Sequence, residues 1–370
     1  MIWSIPAIQD ATIYEMDPYR NTGLDPILEL RKQGDTSTSD LKESRILIKF
    51  DISELANILS VNNITINDVT ASLKLHTVQE SALPLSYKLQ SRMLAEDWVN
   101  GSGYLTYPGG LIPSTGITDG ATWVSTSGTG SLNWTDTATV SAEYQFANTS
   151  GGGAWYTASM ATQSFSFKTT DNVSINVTDA VKSWYNEDFE NNGLLVSFEY
   201  NAITSSNYPT TTIQFYSSET TTVHEPKLYI EWTGTQTYSI GSQTAVAYED
   251  SPVIYVRAFR GEYPVNSKNR ILVAARDKYP RRSFGQNSDF STIKALPSTT
   301  YYQIRDAHND EIIIPFSTNT KVNSNTSGSY FDFYSTMMYA ERYYKFEFKV
   351  EFNDITEYFS SSDYIFKITN

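Results

Sequence analysis

The chain has 370 residues, a formal net charge of −14 at pH 7 and 26 tyrosines. This length predicts two or three domains. The acidic charge argues against duplex nucleic acid as a partner, because phosphate contacts need clustered lysine and arginine. There are no cysteines, which excludes disulfides, thiolate metal sites and a cysteine nucleophile and favours assembly in a reducing cytoplasm.

The first residues, Met1-Ile-Trp-Ser, lack the basic and apolar regions typical of a secretory signal. No apolar run approaches the roughly 18 residues that a membrane helix needs. We therefore expect no membrane insertion.

Alternation of apolar and polar residues predicts β-strands in the first half of the chain. The clearest strand ends at Phe50, with Ile46, Ile48 and Phe50 facing inward and Leu47 and Lys49 opposite. Other strands of this half are expected near 69–78, 85–91, 194–200, 212–217 and 227–232.

Helix is expected only as short turns. One lies near 53–59, with Ser53 as its N-cap, and the other near 179–186. Asp51, directly after the strand, is expected to accept backbone N–H bonds in a turn.

Residues 100–164 are rich in glycine, serine and threonine but carry Trp123, Trp134 and Trp155. Disordered segments are usually poor in aromatic residues, so this composition favours long ordered loops pinned by tryptophan. Alternatively, the three tryptophans and Tyr156 form an exposed platform for a sugar or a partner. The other tryptophans of patterned segments are expected in cores: Trp98, Trp184 and Trp232.

A boundary is expected between Gly234 and Gly241. It divides the chain into a sandwich at 1–235, with an insertion at 100–164, and an immunoglobulin-like β-domain at 236–370. Strands of the second domain are expected near 253–259, 271–275, 301–305, 311–316, 330–334, 343–352 and 364–368.

Catalytic motifs are not recognised in the sequence. His76, His224 and His308 have no second histidine at a metal-ligand spacing, and the chain lacks a nucleophile elbow and a phosphate-binding glycine loop. We expect no enzyme and no cofactor. Calcium is the alternative left open, through oxygens of two loop groups: Asp17, Asp25 and Glu29, and Asp119, Asp136 and Glu143.

A short basic segment stands out in the acidic chain, with Lys278, Arg281 and Arg282 around Tyr279 and Pro280. It is interpreted as an interaction edge, or as a solvated loop between strands.

Several short motifs follow one another in a characteristic order along residues 11–232. They are Ala11–Tyr14, Asn21-Thr-Gly, Arg45-Ile-Leu-Ile-Lys-Phe-Asp51, Ala71–Leu75, Asp97-Trp98, Val177–Trp184, Asn191–Leu194, Phe215–Ser217 and Pro226–Leu228. Together they resemble the DNRLRE family of β-sandwich modules, which overlaps with a class of carbohydrate-binding modules. The resemblance implies a jelly-roll-like sandwich. The insertion is longer and richer in glycine than is usual in that family.

The second half is similar to the C-terminal region of structural proteins from large tailed marine phages. The similarity rests on Tyr279-Pro-Arg-Arg-Ser-Phe, Leu296-Pro-Ser-Thr-Thr-Tyr-Tyr and Glu341-Arg-Tyr-Tyr. It implies a non-enzymatic virion component of the tail, baseplate, neck or capsid surface, assembled in the host cytoplasm in multiple copies with other virion proteins. The alternative is an adhesion module that binds a host-surface glycan.

Overall fold

The computed structural model describes residues 1–34, 41–81, 86–106, 119–128, 133–134, 146–147, 151–166, 172–199, 211–234, 236–250, 252–279, 293–352 and 354–370. Strands form 51% of the structure and helices 9%, which confirms the all-β sandwich class. The chain divides into a first unit, Ile5–Ile230, and a second unit that combines Met1–Ser4 with Glu231–Asn370. A boundary at 235 would leave Met1–Ser4 in the first unit, whereas these residues group with the second unit. The Trp232 N–H donates to the Met1 carbonyl, and this bond joins the first residues to the start of the C-terminal segment.

Antiparallel strands build the first unit. Its strands are β1 (Ile2–Tyr14), β2 (Ile27–Gly34), β3 (Leu41–Phe50), β4 (Val69–Leu75), β5 (Thr77–Ser81), β6 (Ser86–Met93), β7 (Phe146–Ala147), β8 (Trp155–Tyr156), β9 (Ala161–Ser166), β10 (Val173–Asn176), β11 (Leu194–Phe198), β12 (Thr211–Tyr216) and β13 (Lys227–Trp232). The main path runs β10-β4-β13-β1-β3-β11-β6-β9, and β12 pairs with β2 and β5.

The central strands are buried on both faces over Asp10–Tyr14 of β1, Glu43–Ile48 of β3 and all of β11. Ile46, Ile48 and Phe50 are fully buried, as their alternation predicts. Leu47, on the opposite face, is fully buried as well. It pairs in register with Ala11 of β1 and Leu195 of β11. An antiparallel sheet commonly leaves one face to solvent, so a further layer must cover this side.

The two α-helices among the described residues are short, as expected: α1 spans Leu55–Asn62 and α2 spans Thr178–Tyr185. The N-cap of α1 is Glu54 and makes no side-chain capping bond, so the assignment of Ser53 is wrong. The reason is the preceding turn: Asp51 Oδ1 accepts the Ser53 N–H at 2.9 Å, which confirms the turn expected at Asp51 and moves the helix start. No helix of the described chain is long and apolar enough to cross a membrane.

The second unit is a sandwich of a four-stranded and a five-stranded sheet. Its strands are β14 (Pro252–Arg257), β15 (Glu262–Pro264), β16 (Lys268–Asp277), β17 (Thr300–Asp306), β18 (Ile312–Ile314), β19 (Asn323–Asn325), β20 (Gly328–Tyr334), β21 (Tyr343–Phe352) and β22 (Ile355–Thr369). The sheet orders are β14-β16-β20-β19 and β15-β22-β21-β17-β18. Short 3₁₀ turns lie at Ile66–Asp68 in the first unit and at Tyr248–Asp250, Thr318–Thr320 and Ser335–Met337 in the second.

Aromatic rings fill the interior between these two sheets. Phe331 of β20 stacks on Tyr302 of β17 with ring centroids 4.0 Å apart, and it meets the edge of Phe346 on β21. Phe346 stacks in turn on Phe366 of β22 at 4.5 Å. Because inward side chains alternate with polar outward ones along β21, the period-two pattern alone identifies this core.

Candidate functional site

The described parts of the glycine-rich insertion cover the outer face of the central sheet in the first unit. Trp123 is only 6% exposed and Trp134 only 3%. Both pack in one cluster with Leu47, Leu195 and Trp98. The indole N–H of Trp134 donates to the Thr122 carbonyl at 2.9 Å, so its one polar group is satisfied inside the cluster. The insertion is therefore the missing layer over this side of the sheet.

Arg45 connects this layer to β3. Its guanidinium carbon lies 4.9 Å from the ring centroid of Trp123 and 4.8 Å from that of Trp155. A weakly hydrated guanidinium binds well to indole faces. One terminal nitrogen also donates to the Gly152 carbonyl at 2.7 Å. We call Arg45, Trp123, Trp155 and Gly152 the arginine clamp.

The glycine run beside Arg45 allows this close approach. Gly152 has a φ of +81°, in the left-handed region that side chains rarely adopt. A Cβ atom there would lie 2.7 Å from an Arg45 guanidinium nitrogen and 2.8 Å from the Trp123 ring. Both the backbone angle and the space thus require glycine at this position.

Glu43 neutralises the buried charge of Arg45. Its carboxylate accepts from Arg45 Nε at 2.8 Å, and both side chains are less than a tenth exposed. Burial raises the pKa of Glu43 above its usual value, and the positive charge of Arg45 opposes that rise. One carboxylate oxygen of Glu43 makes no hydrogen bond within the described part of the chain. Because a buried ion pair gains little net free energy, its role is to fix one arrangement of strand and loop.

The expected tryptophan platform requires exposed indole faces. Trp123 and Trp134 do not meet this requirement, because both are buried. The physical reason is that an indole with a satisfied N–H is more stable against apolar neighbours than in water. Trp155 is half-buried in the clamp. Tyr156 is half-buried with its ring 4.4 Å from that of Phe189. Trp98, Trp184 and Trp232 are buried, as expected.

The first loop group with calcium-ligand chemistry is not assembled around a common point. Asp17 accepts from Arg20 at 2.8 Å, and Glu29 accepts from Arg31 at 3.1 Å. Asp25 accepts two backbone N–H groups. Across the part of the chain that the structure describes, these carboxylates do not come together as a ligand group.

The second loop group lies mostly outside the described residues. Asp119 accepts hydrogen bonds from the Ser102 hydroxyl, while Asp136 and Glu143 are not among the described positions.

The basic segment is only partly described. Lys278 is exposed, and its ammonium lies 5.5 Å from the ring centroid of Tyr279. Arg281 and Arg282 lie outside the described residues.

Sequence reasoning missed a histidine pair in the first unit. His76 and His224 have ring centroids 4.7 Å apart, and Tyr216 stacks on His224 at 5.4 Å. Burial, followed by the positive charges of His224, Lys227 and Lys74, lowers the pKa of His76 to about 4. His76 is therefore a neutral ring in an aromatic stack at pH 7. Nothing in local spacing signals a pair so far apart along the chain.

Comparison with known protein families, curated proteins and solved structures finds no match to this chain.

Proposed function

We propose that this protein is a non-enzymatic structural component of a tailed-phage virion that acts through contacts with other virion proteins. The similarity of its second half to phage structural proteins suggests the setting. The observation that carries the assembly role is the outer face of the five-stranded sheet in the second unit, which places aromatic side chains in solvent.

This outer face is defined by the residues of β21 that alternate with its buried ones. Tyr343 is 55% exposed, and Tyr358 of the neighbouring β22 is 69% exposed. Lys349 lies in register with Tyr358 on one side and with Tyr301 of β17 on the other. Its ammonium is 4.5 Å from the Tyr301 ring centroid. Phe316 completes the group, with its ring centroid 5.8 Å from that of Tyr358.

Ion pairs surround these rings. Arg305 pairs with Glu347 at 3.0 Å, and Lys345 pairs with Asp310 at 2.6 Å. Tyrosine is enriched among the residues that dominate protein–protein interfaces, and this face exposes Tyr343 and Tyr358. The outer face thus has the composition of a docking surface for another virion protein.

The basic segment at 278–282 is proposed as a second contact. Lys278 and Tyr279 are both exposed, and an acidic protein offers complementary charge to such a segment on a neighbouring copy or partner. Arg281→Glu with Arg282→Glu should impair incorporation into particles. Normal incorporation of this charge-reversed chain would remove the segment from the interface.

The second candidate is a glycan-binding adhesion module. The specific observation that favours it is the exposed ring of Tyr358 beside Phe316, because a sugar can lie by its apolar face on such a ring. In this alternative the sugar would lie on Tyr358 of the second unit and not on the loop tryptophans.

The deciding experiment compares Tyr358→Ser with Tyr19→Ser, since both tyrosines are 69% exposed but Tyr19 lies in the first unit. Mass spectrometry of purified particles should detect the chain, with Tyr358→Ser under-represented and Tyr19→Ser at the wild-type level. Absence of the wild-type chain from particles would contradict the virion role. Glycan-array binding that Tyr358→Ser removes and Tyr19→Ser retains would support the adhesion module instead.

A further inference from the structure

A basic cleft opens on the second unit, at the end of the four-stranded sheet. Its volume is about 360 Å³, and four cationic side chains line it: Arg257, Arg260, Lys268 and Arg270. Four cations in one cleft are unexpected in a chain with a net charge of −14. We call this group the basic cleft.

Local structure explains how two of the arginines reach the cleft. β14 ends at Arg257, and the next residue, Ala258, has a left-handed φ of +48° that turns the chain. Phe259 then packs edge-on against Phe346, with ring centroids 6.4 Å apart. With Phe259 half-buried against Phe346, Arg257 and Arg260 remain exposed on either side of it.

The other two cations come from β16. Lys268 and Arg270 are two residues apart on one strand and so share a face. Arg270 donates two hydrogen bonds to Asp332, at 2.7 and 2.9 Å, and its guanidinium carbon lies 4.6 Å from the Tyr330 ring centroid. Lys268 reaches the same carboxylate at 3.9 Å. Asp332 and Tyr330 therefore hold this wall of the cleft in place.

The charges of Arg257 and Arg260 have no ion-pair partner among the residues that the structure describes, since no carboxylate there lies within ion-pair distance of either. Asp332 pairs with both of the other cations, Lys268 and Arg270. The cleft thus presents more positive than negative charge, with two guanidinium groups free to donate.

We propose that the basic cleft binds an oxyanion, a phosphate or sulfate group carried on a small molecule. Guanidinium groups match the oxygens of such anions by paired, charge-assisted hydrogen bonds. The volume lies within the usual range for small-molecule sites and exceeds what one tetrahedral anion fills. Arg257 and Arg260 bind the anion, while Lys268 and Arg270 supply the positive wall. This site is independent of the virion role.

The test is calorimetric titration of the full chain with pyrophosphate, inorganic phosphate and inorganic sulfate at low salt. Saturable binding is expected, and it should weaken as salt rises because the contact is ionic. Arg257→Gln with Arg260→Gln should raise Kd about tenfold or more, because the anion loses its charge-assisted hydrogen bonds to both guanidinium groups. A preference for sulfate over the phosphates would identify a sulfated ligand, and the reverse order a phosphorylated one.

A matched control removes the same charge elsewhere: Arg20→Gln with Lys88→Gln, two cations of the first unit, should leave Kd unchanged. Arg260→Lys provides a variant that keeps the charge and loses the guanidinium fork, and an intermediate Kd is expected. The proposal is overturned if none of the three anions binds saturably, or if the double arginine variant binds as the wild type does. An equal change of Kd in the control would show that the anion responds only to the net charge of the protein, and it would also overturn the proposal.

Discussion

Arg45 donates from Nε to Glu43 at a distance of 2.8 Å, and both residues are buried beneath a layer of loops. This pair lies where a strand of the central sheet meets the glycine-rich insertion. It is also the point at which the strand motif Arg45–Asp51 and the loop tryptophans meet, since the same guanidinium lies between Trp123 and Trp155.

Replacing Arg45 by methionine should destabilise the protein by about 3–5 kcal/mol, because it leaves the Glu43 carboxylate buried without its charged partner. Arg45→Met with Glu43→Gln should recover part of that loss. Urea unfolding followed by tryptophan fluorescence measures both variants. If the unfolding free energy of Arg45→Met alone stays within about 1 kcal/mol of wild type, the arginine clamp does not order this region.

Gly152→Ala should cost about 1–3 kcal/mol, because the residue has a left-handed φ and a methyl group would collide with Arg45 and Trp123. Gly261→Ala is the control: a Cβ atom there meets nothing within 4 Å, so its unfolding free energy should stay within about 0.5 kcal/mol of wild type. Thermal melts of the two variants give the comparison. Equal melting temperatures would mean that the loop shifts without cost.

The sequence predicted individual strands well where one face is solvated. β21 alternates over its whole length, and its inward residues Phe346 and Phe348 are in the core. It did not predict the burial of Leu47, because a period-two pattern does not report what covers the second face. Apolar residues at outward positions, Leu47 and Leu195, were the available signal for a further layer.

The sites were less predictable than the fold. The contact of Arg45 with Trp123 joins a strand to a loop without periodicity, so no spacing rule relates them. The basic cleft was missed although its signal is local, since four cations lie between Arg257 and Arg270 in an acidic chain. Only the tertiary structure shows that Asp332 pairs with Lys268 and Arg270 and not with the other two.

Phe50→Ala should lower the free energy of unfolding by about 3–5 kcal/mol, as truncation of a large core aromatic does. Phe50 is 0% exposed at the end of β3. Val61→Ala, at a position that is 61% exposed on α1, is the control and should change stability by less than about 0.5 kcal/mol. Denaturant midpoints for both variants test the assignment of the inward face, and a Phe50→Ala midpoint equal to the control would contradict it.

The last prediction concerns pH and Asp10, a buried carboxylate of the first unit. Burial raises the pKa of Asp10 to about 7, helped by the negative charges of Glu219 and Glu225 and opposed by the Ser218 N–H, which donates to it at 2.6 Å. The other carboxylate oxygen has no hydrogen-bond partner among the residues that the structure describes. The folded protein therefore holds this proton more tightly than the unfolded chain does.

Because the folded-state pKa is raised, the contribution of Asp10 is fully present below pH 4 and is lost as pH rises from about 4 to 7. The loss is roughly 4 kcal/mol at most, since one pKa unit is about 1.4 kcal/mol. Asp10→Asn should remove this fall of the unfolding free energy with rising pH, and it should make the protein more stable than wild type at pH 8. Asp97→Asn, at an exposed carboxylate, should keep the wild-type slope. Unfolding free energies of the three proteins between pH 4 and pH 8 decide the matter, and a slope that persists in Asp10→Asn would assign the pH dependence to other groups.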